Sequence, residues 1–157
     1  MADATRATLA LAAEAIPYTT HRYVYDPNAD RTGLQAAEAL GLPPAQVFKT
    51  LMAKADGRPV CVMLPSDEEV AMKTLAAAVG ARSAEMMKPK DAERLTGYVI
   101  GGISPFAHRK PGPAILDESA LAWEHIYLNA GQRGLLLAVT PADVVKFLGA
   151  NVVAITR

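Results

Sequence analysis

Residues 47–64 constrain this chain more than any other stretch. Val47-Phe48-Lys49-Thr50-Leu51-Met52-Ala53-Lys54 and Pro59-Val60-Cys61-Val62-Met63-Leu64 are two apolar-rich runs, and Asp56-Gly57 lies between them. Asp-Gly between two such runs marks a tight β-hairpin, because both central residues can take positive φ. An antiparallel pair in the middle of the chain commits it to a sheet. Within the first run, side chains alternate with a period of two. Val47, Lys49, Leu51 and Ala53 share one face, and Phe48, Thr50, Met52 and Lys54 share the other. Lys49 is therefore aimed where three apolar residues point, and an ammonium there is costly unless it is paired or opens onto a cavity. Two readings stand. Either the apolar face ends early and the lysine stem snorkels to water, or Lys49 lines a pocket and meets an anionic or carbonyl-bearing ligand. Lys54 sits at the strand end beside the turn and needs no such explanation.

Around the hairpin the pattern is mixed. Helices are expected at Asp3 to Ile16, capped by Asp3 and stopped by Pro17, and at Leu34 to Leu40, closed by Gly41. Ser66, followed by Asp67, Glu68 and Glu69, reads as the cap of a helix through Met72, Leu75 and Val79 to Gly80. A short helix follows at Pro89 to Leu95, and Thr140-Pro141 opens another that ends at Gly149. Strands are expected at Tyr18 to Tyr25, Tyr98 to Ile100, Ala114 to Asp117 and Val152 to Ile155. Glu124 to Leu128 and Leu135 to Val139 form a hairpin with a long tip. About seven strands with four or five helices, and no regular βαβ alternation, give an α+β class. The 157 residues suit one domain, spanning 1–157, with no linker or repeat.

Composition excludes several classes. Lys and Arg number 16, as do Asp and Glu, so a nucleic-acid partner must be gripped by a local patch. No run has membrane-spanning length, the N-terminus lacks signal-peptide character, and a cytoplasmic location is expected. One cysteine rules out an internal disulfide, and Cys61 is expected to pack as a small hydrophobe. Three scattered histidines and that cysteine make no zinc pattern. Ser66 is better read as a cap than as a nucleophile, since no nucleophile elbow is present.

Gly101-Gly102-Ile103-Ser104-Pro105 is the second informative segment. Paired glycines after an apolar run let a ligand approach main-chain N–H groups, which can hold a phosphate or a carbonyl oxygen as charge develops on it. They also serve as a plain sharp bend. His108-Arg109-Lys110 and Gly131-Gln132-Arg133-Gly134 are basic loops that could touch phosphates. Together these residues give one inward lysine and one glycine loop, without a general base or a metal.

Val47-Phe48-Lys49-Thr50-Leu51, then Pro89 to Tyr98, then Gly101 to Pro105 resemble the YbaK/EbsC family of aminoacyl-tRNA deacylases, in the same order over nearly the whole chain. Asp26-Pro27-Asn28 with Gly33, and Ile126-Tyr127 with Gly131 to Leu135, agree. The family is related to the editing domain of bacterial prolyl-tRNA synthetases. Its implied fold is a compact, barrel-like mixed β-sheet with helices packed outside. Its implied activity is trans-editing, the hydrolysis of the ester between a wrong amino acid and tRNA(Pro), typically Cys-tRNA(Pro). The implied partners are the aminoacyl-tRNA acceptor end and, through a complex, prolyl-tRNA synthetase, with no cofactor, metal or membrane. The resemblance assigns Lys49, Gly101 and Gly102 to catalysis. Lys49 holds the terminal phosphate or the ester, and the Gly101 and Gly102 N–H groups hold the carbonyl. It assigns Tyr23, Thr32, Thr50, Ile103, Ser104, Pro105, Asn129 and Arg133 to substrate binding. In cysteine-specific members the substrate's own thiol attacks, which fits the missing triad. The chain departs at Thr32, where a Phe is common, at Asn129-Ala130 in the later loop, and at Leu136, where an aspartate is usual.

Overall fold

The computed structural model describes residues 3–157. In chain order its elements are α1 (Arg6–Ala13), β1 (Thr19–Arg22), α2 (Thr32–Leu40), β2 (Phe48–Ala55), β3 (Arg58–Pro65), α3 (Met72–Ala78) and β4 (Ala84–Met86). There follow α4 (Pro89–Thr96), β5 (Ala114–Asp117), a 3-10 turn at Glu118–Ala122, β6 (Ile126–Gln132), β7 (Leu135–Val139), α5 (Pro141–Leu148) and β8 (Asn151–Val153). The α+β class is as expected.

The central hairpin forms as its sequence dictates. β2 and β3 pair antiparallel from Phe48↔Pro65 to Ala55↔Arg58, and Asp56 (φ 50°) and Gly57 (φ 79°) make the turn. Positive φ at both central residues gives the mirror-image turn that follows strand twist. β4 pairs with β2, while β5 and then β8 extend the other side in parallel, giving the order β4-β2-β3-β5-β8. The second sheet is antiparallel, in the order β1-β7-β6. Among the described residues a single parallel bridge, Val47↔Tyr127, links the two sheets.

The barrel-like character expected of the sheet is not borne out, because the described strands form two open sheets and no closed one. The reason lies on the outer edge of β2. There β4 covers Ala53 to Ala55 and Tyr127 meets Val47, while Lys49 to Leu51 between them has no strand neighbour. A barrel cannot close across that gap.

The core divides along the five-stranded sheet. One face sets Phe48, Met52, Cys61, Met63 and Leu116 against Leu128 and Leu137 of the second sheet. The opposite face packs Val62, Leu64, Leu75, Ile115 and Ile155 together. A small third cluster seats Ala36 and Ala37 of α2 on Val47 and Leu136, at the joint between the sheets. Each fully buried Leu or Ile contributes about 1.5–3 kcal/mol. Cys61 packs as expected, and burial pushes its thiol up to about 12.

Several local expectations are corrected. Ser66 does not cap a helix. β3 runs on to Pro65, the Ser66 hydroxyl donates to the Pro44 carbonyl at 2.9 Å, and α3 begins only after Ala71. Thr5, not Asp3, caps α1, with its side chain accepting from the Thr8 N–H. Tyr98 to Ile100 is not a strand, because Gly97 (φ 83°) and Gly101 (φ 88°) turn the chain at both ends of it. β4 carried no period of two to mark it. The β6–β7 tip is short, since β6 extends through Gln132 past a bulge after Asn129. No helix among the described residues is long and apolar enough to cross a membrane.

Candidate active site

The gap beside β2 opens into a cavity of about 300 Å³ at the joint between the sheets. Phe48, Lys49, Thr50 and Leu51 form one wall, and Ile100, Gly101 and Ile103 line it from the loop after α4. Arg31, Thr32, Gly33 and Ala36 come from the start of α2, Tyr23 follows β1, and Asn129 and Leu136 come from the β6–β7 hairpin. Of the sequence-derived site residues, the fold brings Lys49, Gly101, Tyr23, Thr32, Thr50, Ile103 and Asn129 to this one cavity. Gly102, Ser104, Pro105 and Arg133 do not line it.

Lys49 is the half-buried cation of the wall. It makes no ion pair or hydrogen bond among the described residues. Burial holds its ammonium below the usual lysine range; nearby Arg31 acts the same way, and Asp67 and Glu68 oppose them. Two hydroxyls share this unengaged state. Tyr23 Oη and Thr50 Oγ1 are buried without a hydrogen-bond partner, an arrangement that costs about 1–3 kcal/mol per group when nothing replaces water. Burial raises the Tyr23 phenol above its usual range, and the neighbouring Gly134 backbone does not meet the oxygen in hydrogen-bonding geometry. Buried groups left this way are rare in native structures, and a place in a ligand cavity is one physical reason for them.

The glycine loop is braced from behind. Asn129 Nδ2 donates to the Gly101 carbonyl at 3.1 Å, while its Oδ1 accepts from the Gly131 and Gln132 N–H groups at 2.7 and 3.1 Å. Asn129 thus locks the β6 bulge to the loop. The Gly101 N–H has no partner among the described residues, whereas the Gly102 N–H donates to the Val99 carbonyl at 2.8 Å. Only one of the two amides expected to meet a carbonyl is open. The missing side chain of Gly102 has another use: a Cβ there would come within 2.9 Å of the Arg133 backbone nitrogen. Ser104 is buried, with its carbonyl accepting from His108 Nε2 at 2.6 Å and its hydroxyl from the Phe106 N–H at 3.3 Å. It shapes the loop that delivers Ile103.

Arg31 and Glu69 also line the cavity and carry no local sequence signal. Arg31 pairs with Glu69 at 3.6 Å, and Glu69 also binds the Arg157 guanidinium. Only the tertiary fold sets residue 69 beside the start of α2. Ser66 lines the cavity too, despite its reading as a cap. The lining as a whole offers a cation, two free hydroxyls and one open amide over apolar walls. It can position and polarise a small carbonyl-bearing or anionic group, and it contains no side-chain nucleophile paired with a base.

The Aminoacyl-tRNA editing domain family matches residues 27–147. The Enterococcus faecalis protein EbsC, named for Cys-tRNA(Pro)/Cys-tRNA(Cys) deacylation, is 32% identical over 143 residues, covering 90% of this chain and 86% of EbsC. The multifunctional Ser/Thr-tRNA deacylase ProXp-y of Escherichia coli is 25% identical over 126 residues, covering 77% of this chain and 75% of that protein. A crystal structure described as a trans-editing enzyme for prolyl tRNA synthetase superposes with a TM-score of 0.82 at 25% identity, covering 100% of this chain and 98% of that one.

Proposed function

The chain belongs to the aminoacyl-tRNA editing domain family, and from that premise we propose that it hydrolyses mischarged tRNA(Pro) in trans, with Cys-tRNA(Pro) as its principal substrate. The observation that carries this reading is Lys49, an unpaired half-buried cation that lines one small cavity together with Tyr23 and Thr50, whose hydroxyls are unengaged. A volume near the lower end of the ~300–1,000 Å³ range of ligand pockets suits a small aminoacyl group. Synthetases need such help because small side chains differ by only about 1–3 kcal/mol in binding.

The roles take up those the resemblance implies, and the lining of the cavity supports them. Lys49 holds the terminal phosphate or the ester oxygen, and its charge is effective because the cavity excludes part of the water. The Gly101 N–H meets the carbonyl oxygen as charge develops. Asn129 acts on the loop that presents this amide, so it is a positioning residue. Thr32, Thr50, Tyr23, Ile103 and Leu136 shape the side-chain slot. With a cysteinyl substrate, the substrate's own sulfur attacks its ester carbonyl. The sulfur–carbon bond forms, the ester carbon–oxygen bond breaks, and the thiol proton passes to the departing ribose oxygen. Water then opens the thiolactone. The protein supplies orientation and charge rather than a nucleophile.

A second reading rests on the hydroxyls. Tyr23 Oη and Thr50 Oγ1 could both bond a serine or threonine side chain, the aminoacyl groups in the name of ProXp-y, and the nucleophile would then be water or the free ribose hydroxyl. A hydrolysis panel of Cys-, Ala-, Ser- and Thr-tRNA(Pro), each with wild type and Lys49→Ala, separates these readings. Fast turnover of Cys-tRNA(Pro) that Lys49→Ala abolishes supports the first. Turnover confined to the hydroxyl-bearing substrates supports the second, and activity indifferent to Lys49→Ala removes this residue from the mechanism.

A further inference from the structure

Beside the cavity the chain presents an apolar shelf that no element covers. Val99 is 50% exposed and Ile100 41%, and both stand on the loop that delivers Gly101 to the cavity. Tyr25 approaches the same loop so closely that a Cβ on Gly101 would lie 2.7 Å from its hydroxyl. The Arg133 guanidinium lies over the Tyr25 ring at 5.3 Å from the centroid, and its Nε donates to the Ile100 carbonyl at 2.9 Å. Arg133 is exposed and forms no ion pair with a carboxylate among the described residues. One nitrogen thus anchors the guanidinium, its carbon lies over the tyrosine ring, and the remaining N–H donors are available on the exposed side.

An exposed guanidinium plane backed by an aromatic ring, with aliphatic surface beside it, is the chemistry that receives an unpaired nucleobase. Stacking on such a plane tolerates any base, and the cation meets the adjacent phosphate. Position favours the same occupant. An RNA whose terminal ester lies in the cavity must carry its next nucleotides over the rim, and the acceptor end of tRNA is unpaired there. We propose that Arg133, backed by Tyr25 and flanked by Val99 and Ile100, is a stacking platform for the unpaired nucleotide that precedes the aminoacylated terminus. The inference rests on the editing reading for the direction in which the RNA enters. It gives Arg133, which does not line the cavity, a contact outside it, and it gives Tyr25 a supporting role.

The test uses the full chain and two uncharged RNA stem-loops, one with an unpaired 3′ CCA and one ending blunt. Binding is read by fluorescence anisotropy. A second readout is 2-aminopurine placed at the nucleotide before the terminus, whose emission falls on stacking. Wild type should prefer the overhang and quench the probe. Arg133→Ala and Arg133→Lys should both weaken overhang binding by about tenfold, because lysine keeps the charge but not the plane. Tyr25→Ala should weaken it by about threefold, with Tyr25→Phe restoring it. Blunt RNA should bind all variants within about twofold of one another. Full overhang binding by Arg133→Lys, an unquenched probe, or no overhang preference in wild type would overturn the platform. A dimer in sedimentation that Val99→Asp dissolves, without change in RNA binding, would assign the shelf to a second copy and overturn it too. No ester enters these measurements. RNA stacking without hydrolysis of any aminoacyl-tRNA therefore rejects the deacylase reading alone, and hydrolysis without stacking rejects the platform alone.

Discussion

The two ends of β2 each carry a lysine beside a hollow, and the two lysines have opposite surroundings. Lys54 lies in a cleft of about 260 Å³ with Arg94, Lys110 and Asp91. Its Nζ is 4.0 Å from Asp91 Oδ2, and the same carboxylate takes Arg94 at 2.8 Å. Lys49 faces a cavity of about 300 Å³, yet has no carboxylate partner among the described residues. Size does not separate the two hollows. What separates them is whether the polar groups are already engaged. At the Lys54 end one carboxylate already engages both the lysine and Arg94, as on an ordinary solvated face. At the Lys49 end an ammonium, two hydroxyls and an amide are held in place without answer, a cost that a folded chain carries where a ligand completes the set.

The largest test of this contrast is paired substitution. Lys49→Ala is expected to lower aminoacyl-tRNA hydrolysis by on the order of 10²-fold, the scale of removing one stabilising charge or donor. Lys54→Ala should stay within about twofold, since an exposed pair contributes little. Equal losses in single-turnover assays would dissolve the distinction between the two ends. Next come the glycines. Gly101→Ala meets both a positive φ and the Tyr25 hydroxyl, and should cost about 1–3 kcal/mol in denaturant unfolding, with a matching loss of activity. Gly112, near the other end, is open: an added methyl would find only the Pro59 carbonyl, at 3.9 Å. Gly112→Ala should therefore change stability by less than about 0.5 kcal/mol.

A smaller effect separates stability from function. Thr50→Val removes a hydroxyl that bonds nothing, so it should leave stability unchanged or raise it by up to about 1 kcal/mol while slowing hydrolysis. Asp91→Ala should do the reverse, weakening the fold by about 0.5–1 kcal/mol at low salt and less at high salt, with activity intact. The smallest is a pH effect. The folded pKa of Lys49 lies below the unfolded value of 10.5. In the window between them the unfolded chain binds more protons, so stability rises with pH. Lys49→Met lacks that group and should melt at or above the wild type near neutral pH, with the gap narrowing as pH rises toward 10.5. A gap constant across that window would place the ammonium in bulk water.

What could be read from the sequence was local. The hairpin, α2 with Gly41, α4 with Pro89 and α5 with Thr140 and Pro141 all follow from period, caps and turn residues within a few positions. Lys49 stood out because a period of two placed it among apolar neighbours. The misreadings had non-local causes. Ser66 has the sequence of a cap, but a carbonyl 22 residues away takes its hydroxyl. Tyr98 to Ile100 has strand composition, yet it is bent by Gly97 and Gly101 and tied by Glu93, whose carboxylate accepts from the Ile100 N–H at 2.9 Å. Arg31 and Glu69 joined the cavity only through packing of α2 and the loop after β3. No periodicity could announce them. The resemblance supplies Asn129 to the site, while Tyr23 is legible in the sequence only as a strand tyrosine that could line a pocket or pack in a core.

The bare stretch of β2 has one more consequence, for solubility. An uncovered strand edge invites another chain to add on, and long flat edges are where sheet proteins aggregate. Here the bare length is Lys49 to Leu51, about 10 Å at ~3.3 Å per residue. It is bounded at one end by β4 and at the other by the Tyr127 bridge, and it lies within a cavity that Ile100, Gly101 and Ile103 also line. A foreign strand finds too little free length there to set a register, and under the proposed function only a single aminoacyl group needs to enter. The interruption that keeps the sheet from closing thus leaves an edge too short to recruit another chain, and under the proposed function it is the substrate that meets it.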